Sequence, residues 1–304
     1  MTYDIIVGRN KTDRALLGTK GTVNLGKLYV QMGQTTSLSN QVFLDVAKTH
    51  TIMICGKKGS GKSYSASVIA EEISRLPEEV KENITVLFFD TMGIFWTMKF
   101  PNTRQEELLE QWNLTPEGFD VNIFTPKGYF NTYKELGIPT DHAFSLKTSE
   151  LDAGDWCNVF DVTITSPLGV VIERAITTLC KRTKEYAIKD IVSVIKHDTK
   201  SEKHDKNAAE NRFSSAEDWG LFDKHGTTVE DLMKPGSVNV LDISCYTQTG
   251  GNWSIKGLVI GLISRKLLKE RIGARKKEEI EDIKKHKSYF YEEGKNLDKP
   301  MVWI

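Results

Sequence analysis

The sequence predicts an α/β fold, with a parallel sheet covered by helices on both faces in three layers. Three observations carry this expectation. Short apolar runs recur at 51–55, 85–89, 121–124 and 237–242, each of strand length and each bounded by glycine, aspartate or proline. Stretches with apolar residues at helical spacing lie between them. A glycine-rich loop joins the first run to the first of these stretches.

Taken in order, residues 1–45 read as a β-rich N-terminal segment. Runs at 5–7, 22–25 and 27–30, punctuated by Gly18, Gly21, Gly26 and Gly33, suggest a small antiparallel unit with a polar stretch over 8–13. The core is expected over 46–304. Residues 51–55 read as a buried strand, and a helix over 65–75 carries Val68, Ile69 and Ile73 before Pro77 ends it. Strands follow at 85–89, closed by Asp90, and at 121–124, stopped by Pro126. The stretch from about 127 to 235 reads as a mainly helical insertion, with helices at 167–181 and 188–195 and a solvated polar loop at 198–210. A fourth strand at 237–242 precedes a long helix over 254–285, whose Ile255, Leu258, Val259, Leu262, Ile263 and Leu267 share one face. Residues 301–304 begin a fifth strand.

Composition narrows the function classes. Forty-one Lys and Arg balance 41 Asp and Glu, so net charge gives no support for nucleic-acid binding, although a channel can be locally basic. A hydrophobic share of 39% and a charged share of 27% exclude wholesale disorder. Cys55, Cys157, Cys180 and Cys245 are isolated from one another, which excludes a disulfide framework or a zinc pattern and suggests buried free thiols in a reducing compartment. With no signal-like N-terminus and no apolar run near the roughly 18 residues of a membrane span, a cytoplasmic protein without membrane contact is expected.

The chemistry is concentrated in Gly56-Lys57-Lys58-Gly59-Ser60-Gly61-Lys62-Ser63, which satisfies G-x-x-x-x-G-K-[ST]. The three glycines let the backbone turn tightly and approach a phosphate without a Cβ in the way. The loop N–H groups then form an anion-binding nest, reinforced by the positive end of the helix that starts near Lys62. In this pattern Lys62 reaches the β- and γ-phosphates of ATP and the Ser63 hydroxyl ligates Mg2+. Hydrolysis also needs acids to hold the metal and activate water. Asp90 and Asp242 each close a strand and are the candidates, against the ordinary use of aspartate in turns and helix caps. Arg265, Lys266, Lys269, Arg271, Arg275, Lys276 and Lys277 make the last helix basic. Glu270, Glu278, Glu279, Glu281 and Asp282 are interleaved with them, so a solvated, salt-bridged helix is the favoured reading over contact with DNA phosphates. His50 reads as structural.

With the loop placed, a resemblance emerges. Phe43-Leu44-Asp45-Val46, the run at 51–55, the loop at 56–63 and Ile69-Ala70-Glu71-Glu72 resemble the core of archaeal HerA-type ATPases of the HerA/FtsK group. Residues 86–96, with Asp90 and Gly93, and residues 238–244 followed by a long helix match its layout. The resemblance spans roughly residues 20–304 and is strongest over 42–101.

It implies a RecA-like core, a hexameric ring of like subunits, ATP and Mg2+ at subunit interfaces, threading of double-stranded DNA and work with a nuclease partner in DNA repair or end processing. Lys62, Ser63 and the loop glycines carry over directly, and Asp90 matches the strand-end acid of the family and is a catalytic candidate beside Lys62. In the family, a Walker B strand ending in adjacent Asp and Glu follows a helix like 254–285. The chain stops at Ile304 before such a pair, so it is expected to be the front of such an ATPase, binding ATP without efficient turnover. The N-terminal β unit is also smaller than the family's barrel. A non-motor nucleotide-binding regulator is the alternative. A P-loop small-molecule kinase ranks last because the insertion lacks an arginine-rich lid.

Overall fold

The computed structural model describes residues 4–247, 253–286 and 299–304. The N-terminal unit begins with strand β1 (Ile5–Val7) and helix α1 (Lys11–Leu17). Asn10 caps α1 by accepting the Asp13 N–H, so part of the predicted polar stretch is helical. β2 (Thr22–Met32) and β3 (Thr35–Asp45) then form a long antiparallel hairpin, and β1 pairs with β3 in parallel. The two runs predicted on either side of Gly26 are one strand. The register shifts between Asn24 and Gly26, and Gly26, at φ 134°, absorbs the irregularity without ending the strand.

Helices α2 (Lys62–Ser74) and α3 (Glu78–Lys81) lead to β4 (Ile84–Asp90). α4 (Glu106–Gln111), β5 (Val121–Pro126), α5 (Lys127–Glu135) and β6 (His142–Phe144) follow. Next come β7 (Leu146–Lys147), α6 (Ala153–Val159), α7 (Pro167–Arg182), α8 (Ile188–His197) and α9 (Lys203–Asp218). The remaining elements are β8 (Phe222–Asp223), α10 (Val229–Leu232), β9 (Val238–Asp242), α11 (Trp253–His286) and β10 (Met301–Trp303).

The central sheet has the order β10-β4-β9-β5-β6 and is parallel throughout. Successive side chains of its strands point to opposite faces, and the packing follows that alternation. Val86, Ile123 and Val240 join Ala70 and Ile73 of α2 and Val23 and Leu44 of the N-terminal unit on one side. Leu87, Phe124 and Leu241 join α6 to α9 and α11 on the other. This is a three-layer α/β core of RecA-like type with a β-rich N-terminal segment. Inside it, Asn122 donates to Asn239 at 3.0 Å across paired strands, and Asn239 donates to the Leu232 carbonyl at 3.0 Å. A one-residue slip would break this buried pair as well as the apolar alternation, so both fix the register.

Four further expectations need correction. Residues 51–55 form no strand: they are irregular and exposed, with Met53 at 86%. An apolar run becomes a strand only where a neighbour supplies ladder hydrogen bonds, and among the described residues no strand pairs with it. Thr51, Ile52 and Ile54 instead line a cleft of about 300 Å³ with Ile69 of α2, Phe88 of β4 and Trp303 of β10. The predicted polar loop at 198–210 mostly becomes the start of α9. Its inward face is only Ala209, Phe213 and Ala216, a spacing of four and three that is sparse beside the surrounding charges. The stretch around 127–235 is rich in helices but also contributes β6 to the central sheet. Of the four cysteines, Cys157 is buried, whereas Cys55 and Cys180 are exposed.

Candidate nucleotide-binding site

The loop at 56–63 meets the geometric demands of phosphate binding. Gly59 and Gly61 adopt φ of 81° and 86°, in the left-handed region that side chains disfavour. Gly56 is close-packed for a different reason: a Cβ there would lie 2.3 Å from the Ser60 Oγ, which would have to move. Gly61 is the N-cap of α2 and provides no side-chain cap. The amides that open the first helical turn therefore have no intrahelical or side-chain acceptor and face the loop, where an anion satisfies them. Lys62 is the first residue of α2, and its Nζ donates to the Lys57 carbonyl at 2.9 Å. Its ammonium thus spans the loop from helix to opposite wall. Lys57, Lys58 and Ser63 are all exposed at the mouth of the loop. This constellation fits a nucleoside triphosphate with its metal: unsatisfied amides, a spanning ammonium and an accessible hydroxyl beside it.

Asp90 and Asp242 lie opposite each other at the carboxyl ends of β4 and β9, and both are buried. In open α/β sheets this edge is where ligands bind. Asp90 is fully engaged by backbone. Its Oδ1 accepts from Met92 at 3.1 Å and Gly93 at 2.7 Å, and its Oδ2 from Ile94 at 2.7 Å and Phe95 at 2.8 Å. These bonds wind 91–95 into a tight turn that continues into the 3-10 helix Phe95–Lys99, which touches α2. Trp96 closes the turn by donating its indole N–H to the Gly93 carbonyl at 2.9 Å. Gly93 has φ 69°, and a Cβ there would meet the Ser244 Oγ at 2.7 Å.

Burial pushes the Asp242 carboxyl above the usual carboxylate range, against the hydrogen bonds from Ser244 that pull it down, and the Asp90 charge adds to the rise. Ser244 donates its N–H to Asp242 Oδ1 at 2.9 Å. The Cys245 thiol beside it is pushed up to about 12, chiefly by burial. Lys256, from the first turn of α11, is buried at 4% exposure and donates its Nζ to the Thr91 carbonyl at 2.9 Å.

The fold therefore brings together Asp90, Asp242, Ser244 and Lys256, and it links the Asp90 turn to α2 through Phe95–Lys99. Sequence reasoning missed Lys256. The signal was present, because position 256 falls on the same helical stripe as Val259 and Ile263, so a charge there is a buried charge. His50 is structural in its contacts: its ring lies 3.5 Å from Asp45 and 6.3 Å from the Trp303 ring centroid. On α11, Arg271 pairs with Glu278 and Arg275 with Glu279 within the helix, as its interleaved charges suggest, whereas Arg265 and Lys266 pair with Asp155 and Glu150 of neighbouring elements. The side chains of Glu281 and Asp282 lie outside the described residues. Among the described residues no helix is long and apolar enough to cross a membrane.

Comparison with known families gives a match. The family model described as the central domain of the helicase HerA covers residues 23–267. No curated protein matches the chain.

Proposed function

The chain belongs to the HerA helicase central-domain family, and from that premise we propose that it binds ATP with Mg2+ in the loop at 56–63 as a subunit of a double-stranded DNA translocase. The observation that carries this reading is the loop itself, with two glycines in the left-handed region, an uncapped helix N-terminus and Lys62 reaching across to Lys57. In the bound state Lys62 exchanges the Lys57 carbonyl for the β- and γ-phosphate oxygens, because a charged acceptor makes the stronger hydrogen bond. Ser63 contributes its hydroxyl to the metal. The backbone of Gly56, Lys57, Lys58, Gly59, Ser60 and Gly61 cradles the phosphates. Held there, Mg2+ would supply Lewis-acid stabilisation of the phosphate charge. Asp90, with all four of its hydrogen bonds made to amides, acts by shaping the adjoining turn, and Asp242 is the less engaged of the two strand-end acids.

The wider reading has the subunits assembling into a ring in the cytoplasm, with duplex DNA as the substrate and a nuclease as the companion in end processing or repair. Family membership and the parallel sheet support it. The intramolecular pairing of the α11 cations favours a second reading, a nucleotide-binding regulator without motor activity. One experiment separates them: ATP binding and hydrolysis by the parent chain and Lys62→Ala, with and without linear duplex DNA. The translocase reading expects ATP bound by the parent and not by the variant, and hydrolysis raised by duplex in a salt-sensitive way. Equal ATP binding by Lys62→Ala contradicts the nucleotide assignment. ATP binding by the parent with no hydrolysis that duplex raises selects the regulator.

A further inference from the structure

The carboxyl edge of the sheet holds a buried ammonium that the nucleotide contacts do not use. Burying a lysine costs several kcal/mol unless its charge is compensated. An apolar residue at 256 would continue the stripe of Ile255, Val259 and Ile263 at lower cost. Lys256 instead reaches from the first turn of α11 to the Thr91 carbonyl, 2.9 Å away, in the turn that Asp90 winds. Its charge also acts on Asp242. The turn is thereby gripped from three sides. Asp90 holds its amides, Lys256 holds the carbonyl of its first residue, and Ser244 packs on Gly93, its Oγ 2.7 Å from where a Cβ would sit. Beyond the turn, Phe95–Lys99 packs on α2, the helix whose N-terminus is the phosphate loop.

The geometry points to Lys256 as a positioning residue that fixes the 91–93 turn beside the nucleotide site and ties its position to helix α11. It touches no nucleotide itself, and the inference rests on the nucleotide reading above. A change at the loop reaches the turn through α2 and Phe95–Lys99. The Thr91–Lys256 bond then carries it to α11, a helix of 34 residues. A rigid helix held at one end by a buried charge-assisted hydrogen bond converts a small shift at that end into a larger displacement at its other end.

Trp96 is the built-in reporter, because its indole N–H closes the turn on Gly93. The test labels the full chain with 5-fluorotryptophan, assigns the Trp96 fluorine resonance with Trp96→Phe, and titrates Mg-ATP into the parent and Lys256→Met while the dissociation constant is followed in parallel. The expected result is a Trp96 shift on ATP addition in the parent, reduced at least twofold in Lys256→Met, with ATP affinity kept within about threefold (under 0.7 kcal/mol). Where Lys256→Met does not fold, Lys256→Gln serves, since it keeps a polar end but is uncharged and stops one bond short of the Nζ that reaches the Thr91 carbonyl. A parent-like shift in the folded variant overturns the inference, as does ATP binding to the parent with no Trp96 shift. Parallel loss of affinity and thermal stability also overturns it, by reducing Lys256 to a packing element. Failure of the parent to bind ATP at all overturns the nucleotide reading, and this inference falls with it.

Discussion

Residue by residue, identity and geometry agree best in the loop at 56–63. Gly59, Gly61, Lys62 and Ser63 were legible because their chemistry is local: three or four bonds of backbone decide where the amides point. Asp90 was legible as a candidate, but its work was not. A strand-end aspartate can hold a metal or wind a turn, and only the fold reveals which donors surround it. Here four amides surround it. Asp90→Ala leaves those amides without their acceptor and is expected to cost about 2–3 kcal/mol of stability. Urea unfolding with an unchanged slope checks this, and a midpoint equal to that of the parent contradicts it. Lys256 escaped notice because a lone lysine in a charged helix reads as solvated until its place on the apolar stripe is considered.

Among the elements, strands with buried neighbours on both sides were legible to within two residues. β4, β5 and β9 are mostly apolar runs, as parallel strands buried on both faces tend to be, with Asn122 and Asn239 satisfying each other inside. The run at 51–55 has the same composition and forms no strand, since pairing is a property of neighbours and not of the run. α9 went unseen for the opposite reason, its inward face being one phenylalanine and two alanines among charges. The N-terminal unit is held by a buried pair. Arg9 donates to Asp45 at 2.6 Å, and both side chains are almost fully covered. Burial alone would raise the Asp45 carboxyl, but the Arg9 hydrogen bond, with the Ala47 amide, holds it below the usual carboxylate range. A carboxyl depressed by folding stabilises above its unfolded pKa, and that contribution is lost as pH falls through the folded value. Thermal stability of the parent should therefore fall as pH drops below about 4. Asp45→Asn should start lower near neutrality and fall less over the same window. Parallel curves for the two proteins in a calorimetric pH series contradict this.

On the scale of the whole molecule, the sheet divides two apolar layers with different roles. One layer joins α2, which opens at the end of the loop at 56–63, and the N-terminal unit. The other packs α6 to α9 and α11 around Trp156, whose ring meets Phe160, Phe213 and Phe222 within 5.6 Å. Trp156→Ala should cost about 3–5 kcal/mol yet leave ATP affinity intact in the folded protein, because the cavity opens on the face of the sheet away from α2. Loss of ATP binding at temperatures where the variant remains folded contradicts that separation. The class of fold was legible at this scale because strand and helix periods alternate along the chain. The strand order was not, since it depends on which edges meet.

The central claim is that residues 56–63 bind a nucleoside triphosphate through Lys62. Isothermal titration of Mg-ATP into the parent chain and Lys62→Ala tests it most directly. Saturable binding by the parent, weakened at least about 100-fold (2.7 kcal/mol) in the variant, is the predicted result. Indistinguishable titrations of the two proteins would contradict it.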